Sequence, residues 1–183
     1  MHKLTILLTL LIAFTCTCSV HAQTSVADRT ANLIAQLDKT KYKKKDKGDL
    51  HIETYVEITH RPTPEGDIRD FSGKYTNGDP VDYLLEIEVA SDGTVTGKGR
   101  DLAGFHQEHE DYTLKDARVV DNLLTGTRVF ADRTEAFEAV FAIRTERGGS
   151  TPNDAKVVHK AVGLGFIQKR DAWNSRVFLE KSK

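Results

Sequence analysis

The sequence predicts a mainly β protein, an antiparallel meander of eight or nine strands closed into a barrel, with one N-terminal helix ahead of it. Three observations carry this. From Leu50 onward, apolar and polar residues alternate with the period of a strand that buries one face. The alternating runs are joined by short turn sequences such as Ser91-Asp92-Gly93 and Asp121-Asn122. No helical pattern long enough for a parallel crossover lies between them, so consecutive strands pair as hairpins.

The elements follow in chain order. Lys3 precedes an uncharged apolar run from Leu4 to Phe14, and Val20-His21-Ala22 supplies the small-residue pattern that a signal peptidase cuts. Residues 1–22 are thus expected to be a signal peptide, removed before Gln23 during export to the periplasm or the extracellular space. The apolar run is too short for a transmembrane span, which needs roughly 20 residues. Cys16 and Cys18 both lie in this segment, so the mature chain forms no disulfide. Loss of Lys3 moves the formal charge from −1 to about −2, with no concentrated basic field. That argues against nucleic acid as the main partner. What remains is long enough for one core.

Ser25 to Asp38 reads as an amphipathic helix, with Val26, Leu33, Ile34 and Leu37 on one face and Ser25 as N-cap. It is expected to be a lid over one barrel mouth or a packing helix. The lysine-rich run 39–47 and Gly48 are read as a solvated helix end and linker, with contact to an anionic surface as the functional alternative. Residues 23–48 therefore form a helix and linker, and 49–183 the barrel domain.

In the first strand Leu50, Ile52, Thr54, Val56 and Ile58 are expected to be buried. Further strands are expected from Phe71 to Thr76, Asp82 to Ala90, Thr94 to Arg100, Tyr112 to Val120, Leu123 to Phe130 and Thr134 to Arg144. After the Gly-, Ser- and Pro-containing loop 146–154, Lys156 to Ile167 and Ser175 to Lys181 complete the set. Closure removes the two exposed edges of such a meander. Gly97, Gly99, Gly163 and Gly165, inside strands, suit the sharp bends of barrel corners. A two-sheet sandwich is the alternative.

Gly73-Lys74-Tyr75 followed by a meander, and the hairpin Leu85 to Gly99 with its Asp-Gly turn, resemble the calycin group of barrels, which includes lipocalins and avidins. The likeness covers roughly residues 71–179. Lipocalins carry a tryptophan where Tyr75 stands, and avidins line their site with several; this chain has Trp173 alone. The resemblance implies a barrel that can hold a small apolar molecule, and it carries no binding residue over.

Tyr83, Leu85, Ile87, Phe137 and Phe141 are expected to line such an interior, with Trp173 guarding the mouth. The densest set of metal-ligand types is His106, His109 and Glu110. Neutral imidazole and carboxylate suit zinc, but a spacing of three does not align two histidines on a strand. No G-x-S-x-G nucleophile turn and no mature cysteine are present, so catalysis is unsupported, and no cofactor is implied. Three readings follow, in order: an exported binding protein for a small apolar ligand, a protein-interaction module such as an inhibitor of an exported hydrolase, and a metal-dependent enzyme.

Overall fold

Helix α1 (Val26–Leu37) begins at the expected cap, where the Ser25 hydroxyl accepts the Asp28 amide at 3.1 Å, satisfying one donor of the open first turn. The computed structural model describes residues 24–47, 50–78, 83–103, 108–170 and 173–182; the expected signal peptide lies outside them. Leu33 and Leu37 are buried, with Val26 and Ile34 partly buried beside them, which is the apolar face read from the sequence. Their partners are Leu123, Val140 and Ile167, on the outer wall of the barrel. The helix is therefore a packing helix and not a lid over a mouth. Gly165 makes the close approach possible, since a Cβ there would stand 2.5 Å from Leu37 Cδ1.

Ten strands follow: β1 (Lys39–Lys47), β2 (Leu50–Pro62), β3 (Gly73–Thr76), β4 (Leu84–Val89), β5 (Thr94–Ala103), β6 (Glu108–Val120), β7 (Leu123–Val129), β8 (Thr134–Gly149), β9 (Lys156–Arg170) and β10 (Trp173–Lys181). Strands β3 to β10 close into an eight-stranded antiparallel barrel, with β3 pairing β10 and β9 returning to β8. The closed meander agrees with the sequence expectation.

Two segments depart from it. Residues 39–47 are not a linker but strand β1, paired with β2 from Lys39↔Ile58 to Lys47↔Leu50. The lysines tolerate this because an edge strand leaves them in water. Strand β2, in turn, lies outside the barrel and joins β8 from Tyr55↔Gly149 to Pro62↔Ala142. Strand β8 is 16 residues long and changes neighbours along its length, pairing with β7 over 134–140 and with β2 over 142–149. A four-stranded wing, β1-β2-β8-β9, thus runs past one end of the barrel. Its exposure breaks the predicted phase of β2: Ile52 is 41% exposed, while Tyr55 and His60 are buried.

That end of the barrel is plugged. The chain leaving β2 forms a short 3-10 helix, Ile68–Phe71, and Phe71 stacks on Phe141 with ring centroids 4.1 Å apart. Tyr75 lies 5.9 Å from the same ring and donates its hydroxyl to the Phe71 carbonyl at 2.6 Å. The predicted turns lie at this end too. Gly93, at φ +84°, donates its N–H to the Ala90 carbonyl at 2.9 Å, and Asp121, at φ 53°, turns β6 into β7. Inside, Leu85, Ile87, Phe137, Phe141, Leu164 and Phe166 belong to one apolar cluster. At about 1.5–3 kcal/mol for each fully buried large side chain, this cluster is the main source of stability.

Closure is narrow. Among the described residues β3 meets β10 through Tyr75↔Lys181 and Thr76↔Glu180, and the Ser182 amide donates to the Lys74 carbonyl at 2.8 Å. Beyond these pairs, β10 has β9 as its sole strand neighbour among the described residues.

Candidate functional site

Toward the other end, the barrel interior becomes polar. Arg128 occupies the inward phase of β7, between Leu124 and Phe130, so its guanidinium enters the core. It meets Asp101 Oδ2 from β5 at 3.0 Å, both side chains being 6% exposed, and Glu135 Oε2 from β8 at 2.6 Å. Gln168 of β9 donates to Asp101 Oδ2 at 2.5 Å, and the Tyr83 hydroxyl donates to Gln168 Oε1 at 3.1 Å. Arg133 extends the chain by binding Glu135 at 2.8 Å and Glu110 at 2.5 Å. The rings of Tyr112, Phe130 and Phe137 lie 5.3–5.4 Å from the Arg128 guanidinium, which favours a cation there.

Burial tends to raise the Glu135 carboxyl, but the Arg133 hydrogen bond and the Arg128 charge outweigh it and hold the group below its usual value. Burial pushes the Tyr112 phenol well above its ordinary value, so it stays protonated. The assembly is an ionic bolt across the barrel, with Arg128 held between Asp101 and Glu135.

A cleft of about 340 Å³ runs along β10, where closure is narrow. Its lining joins both sides of the wall. Tyr83 and Val177 belong to the interior, whereas Leu37, Ile58, His60, Arg144 and Phe178 belong to the helix and the outer face. Lys39, Arg144 and Arg176 bring positive charge, and no acidic side chain is among the described lining residues. Arg144 bonds Glu146 at 2.9 Å and lies 5.8 Å from the Phe178 ring, while its Nε is buried without a partner. Arg176 Nε donates to the Gln36 carbonyl at 2.5 Å.

His60 anchors the floor. Asp38 Oδ1 accepts its backbone N–H at 2.7 Å and meets Nδ1 at 3.0 Å. A carboxylate only accepts, so Nδ1 carries the proton. Burial lowers the imidazole below its ordinary value, against the opposing pull of Asp38.

The structure gathers Leu85, Ile87, Phe137 and Phe141 inside the barrel, as the alternation predicts, with Tyr83 packed against them. These side chains contact one another and neighbouring rings, including Phe166 at 5.3 Å from Phe137. Trp173 opens β10 opposite Arg170, and its side chain is outside the described residues. His106 also lies outside them. His109 is exposed on β6, and the adjacent Glu110 faces the opposite side and is engaged by Arg133. Among the described residues no three acid, histidine or cysteine side chains are placed to hold a metal ion. The sequence reading missed Arg128, Asp101, Gln168, Arg144 and Arg176.

Comparisons with family models, with curated proteins and with solved structures find no match for this chain. Its class rests on geometry: a closed eight-stranded antiparallel barrel with an N-terminal helix, compatible with a calycin-like fold.

Proposed function

We propose that this is an exported, non-enzymatic binding protein whose ligand is a small amphipathic molecule with an acidic head group. The carrying observation is the cleft along β10, where Lys39, Arg144 and Arg176 stand beside the apolar walls of Leu37, Ile58, Val177 and Phe178. Its volume of about 340 Å³ falls in the lower range of small-molecule sites. An acidic head would meet the cations, and its apolar body would lie toward Tyr83 and Val177. The proposed site is this cleft rather than the plugged end of the barrel, where Phe71, Tyr75 and Phe141 pack closely on one another. Export rests on the composition of residues 1–22.

Titration of the mature chain with anilinonaphthalene sulfonate, an apolar anion, tests the reading. Arg144→Gln with Arg176→Gln is expected to weaken binding by about tenfold or more, since a charge-assisted hydrogen bond contributes about 1.5–3 kcal/mol. Undiminished binding to a folded double variant refutes it. A second reading, a protein-interaction module, is favoured by the first half of β9, which has β8 as its one strand neighbour among the described residues and where Val157, Val158 and Val162 are 59%, 63% and 48% exposed. Native mass spectra separate the two: a retained small acid supports the first, and a bare chain that co-purifies with a hydrolase supports the second.

A further inference from the structure

The two faces of the wing treat their charges differently. On β1, Thr40, Tyr42, Lys44 and Asp46 share one face, and Lys39, Lys41, Lys43 and Lys45 share the other. The first face is neutralised. Lys44 pairs with Glu53 at 2.9 Å, the Tyr42 hydroxyl donates to Glu53 at 3.0 Å, His51 bonds Asp46, and Arg147 pairs with Glu57 at 3.0 Å. On the second face the cross-strand neighbours of the lysines are Ile58, Val56, Thr54 and Ile52. None of these four lysines has an ion-pair partner among the described residues, and all are exposed. Like charge accumulates there: Lys41, and to a smaller extent Arg176, hold the Lys39 ammonium below its usual value.

Among the described residues strand β1 is also an outer edge of the sheet, with β2 as its one strand neighbour. Its backbone groups on the far side are open to pairing. Lysines at an edge ordinarily prevent association, and here they do so selectively. A second copy of β1 would set lysine against lysine, and the β9 edge would bring Lys156 and Lys160. A strand with a carboxylate at every second position instead meets one lysine per carboxylate, because both chains repeat at about 6.8 Å per two residues. Only a polypeptide uses both the lysine row and the backbone edge.

We propose that the β1 edge binds an extended acidic segment of a partner protein as an added strand, its alternate carboxylates opposite Lys39, Lys41, Lys43 and Lys45. The test is fluorescence anisotropy of the mature chain with a labelled peptide of alternating glutamate and threonine. A peptide of the same composition with its glutamates in one block is expected to bind at least about fivefold more weakly, and so is one N-methylated at alternate amides. Lys41→Gln with Lys43→Gln is expected to weaken binding by about fivefold or more. Lys41→Arg with Lys43→Arg restores it, which separates charge from damage to the hairpin, and Lys44→Gln leaves it unchanged.

Equal binding of all three peptides overturns the proposal in favour of unspecific attraction. So does failure of the alternating peptide, whether or not phosphatidylglycerol vesicles or heparin bind through the same lysines. The cleft variants Arg144→Gln and Arg176→Gln are expected to leave peptide binding intact, so this proposal and the cleft reading fail separately.

Discussion

Arg128→Met tests the ionic bolt directly. Methionine keeps much of the volume against Tyr112, Phe130 and Phe137 but removes the cation, leaving Asp101 6% exposed with the Gln168 amide beside it. Two opposite charges about 4 Å apart attract by roughly 4 kcal/mol at an effective dielectric constant near 20. Stranding one partner of a buried pair costs about 3–5 kcal/mol in measured cases. A loss of about 4 kcal/mol is therefore expected. A domain stable by about 5–15 kcal/mol survives it, with Tm lowered by about 8–16 °C. Asp101→Leu alone should cost a similar amount. Combined with Arg128→Met it should recover most of the loss, because the pair then vanishes together with its desolvation penalty. Urea denaturation followed by circular dichroism gives all four corners of the cycle. A cost for Arg128→Met below about 1 kcal/mol, the range of an exposed ion pair, refutes the picture of a sealed pair.

Two further outcomes concern the helix and its anchor. Gly165→Val puts side-chain atoms where a Cβ already stands 2.5 Å from Leu37 Cδ1; overpacking of this kind costs about 1–3 kcal/mol. The helix 26–37 should become sensitive to protease while the barrel keeps its near-ultraviolet spectrum, and an unchanged cleavage rate contradicts that packing role. Burial holds the folded His60 below its ordinary 6.5, so the unfolded chain binds the proton more readily. Stability is then full above pH 6.5 and declines as pH falls from 6.5 through the folded value. His60→Gln should flatten this part of the pH–stability curve; an identical slope in both proteins shows that the histidine does not contribute to it.

The regular parts of the fold were legible because each has a local cause. Alternation over Leu85, Ile87 and Val89 and the Asp92-Gly93 pair define a hairpin without reference to anything distant, and Ser25 with Leu33 and Leu37 does the same for the helix. Strand β1 was hidden because six lysines in nine residues carry no apolar alternation; its strand character comes from β2. The polar chain left a trace that alternation alone could not interpret. Arg128 shares its phase with Leu124 and Phe130, and Gln168 with Leu164 and Phe166, so two polar groups point inward. Their meeting is a product of closure: Gln168 and Asp101 are 67 positions apart. Register shifts between Val95 and Lys98 and between Lys115 and Arg118 also change the phase within β5 and β6. The cleft depends on α1, β1, β2, β8 and β10 together, and no one segment encodes it.

A closed barrel is usually credited with having no edge, yet this one holds a concealed edge. Among the described residues two pairs, Tyr75↔Lys181 and Thr76↔Glu180, join the first barrel strand to the last. Parting them breaks few strand pairs but uncovers Tyr75 and Leu179, both buried members of the apolar cluster, so the seam is short in hydrogen bonds and held chiefly by packing. The durability of the ring and access to its interior therefore rest on shared residues: Tyr75 both pairs across the seam and packs against Phe141.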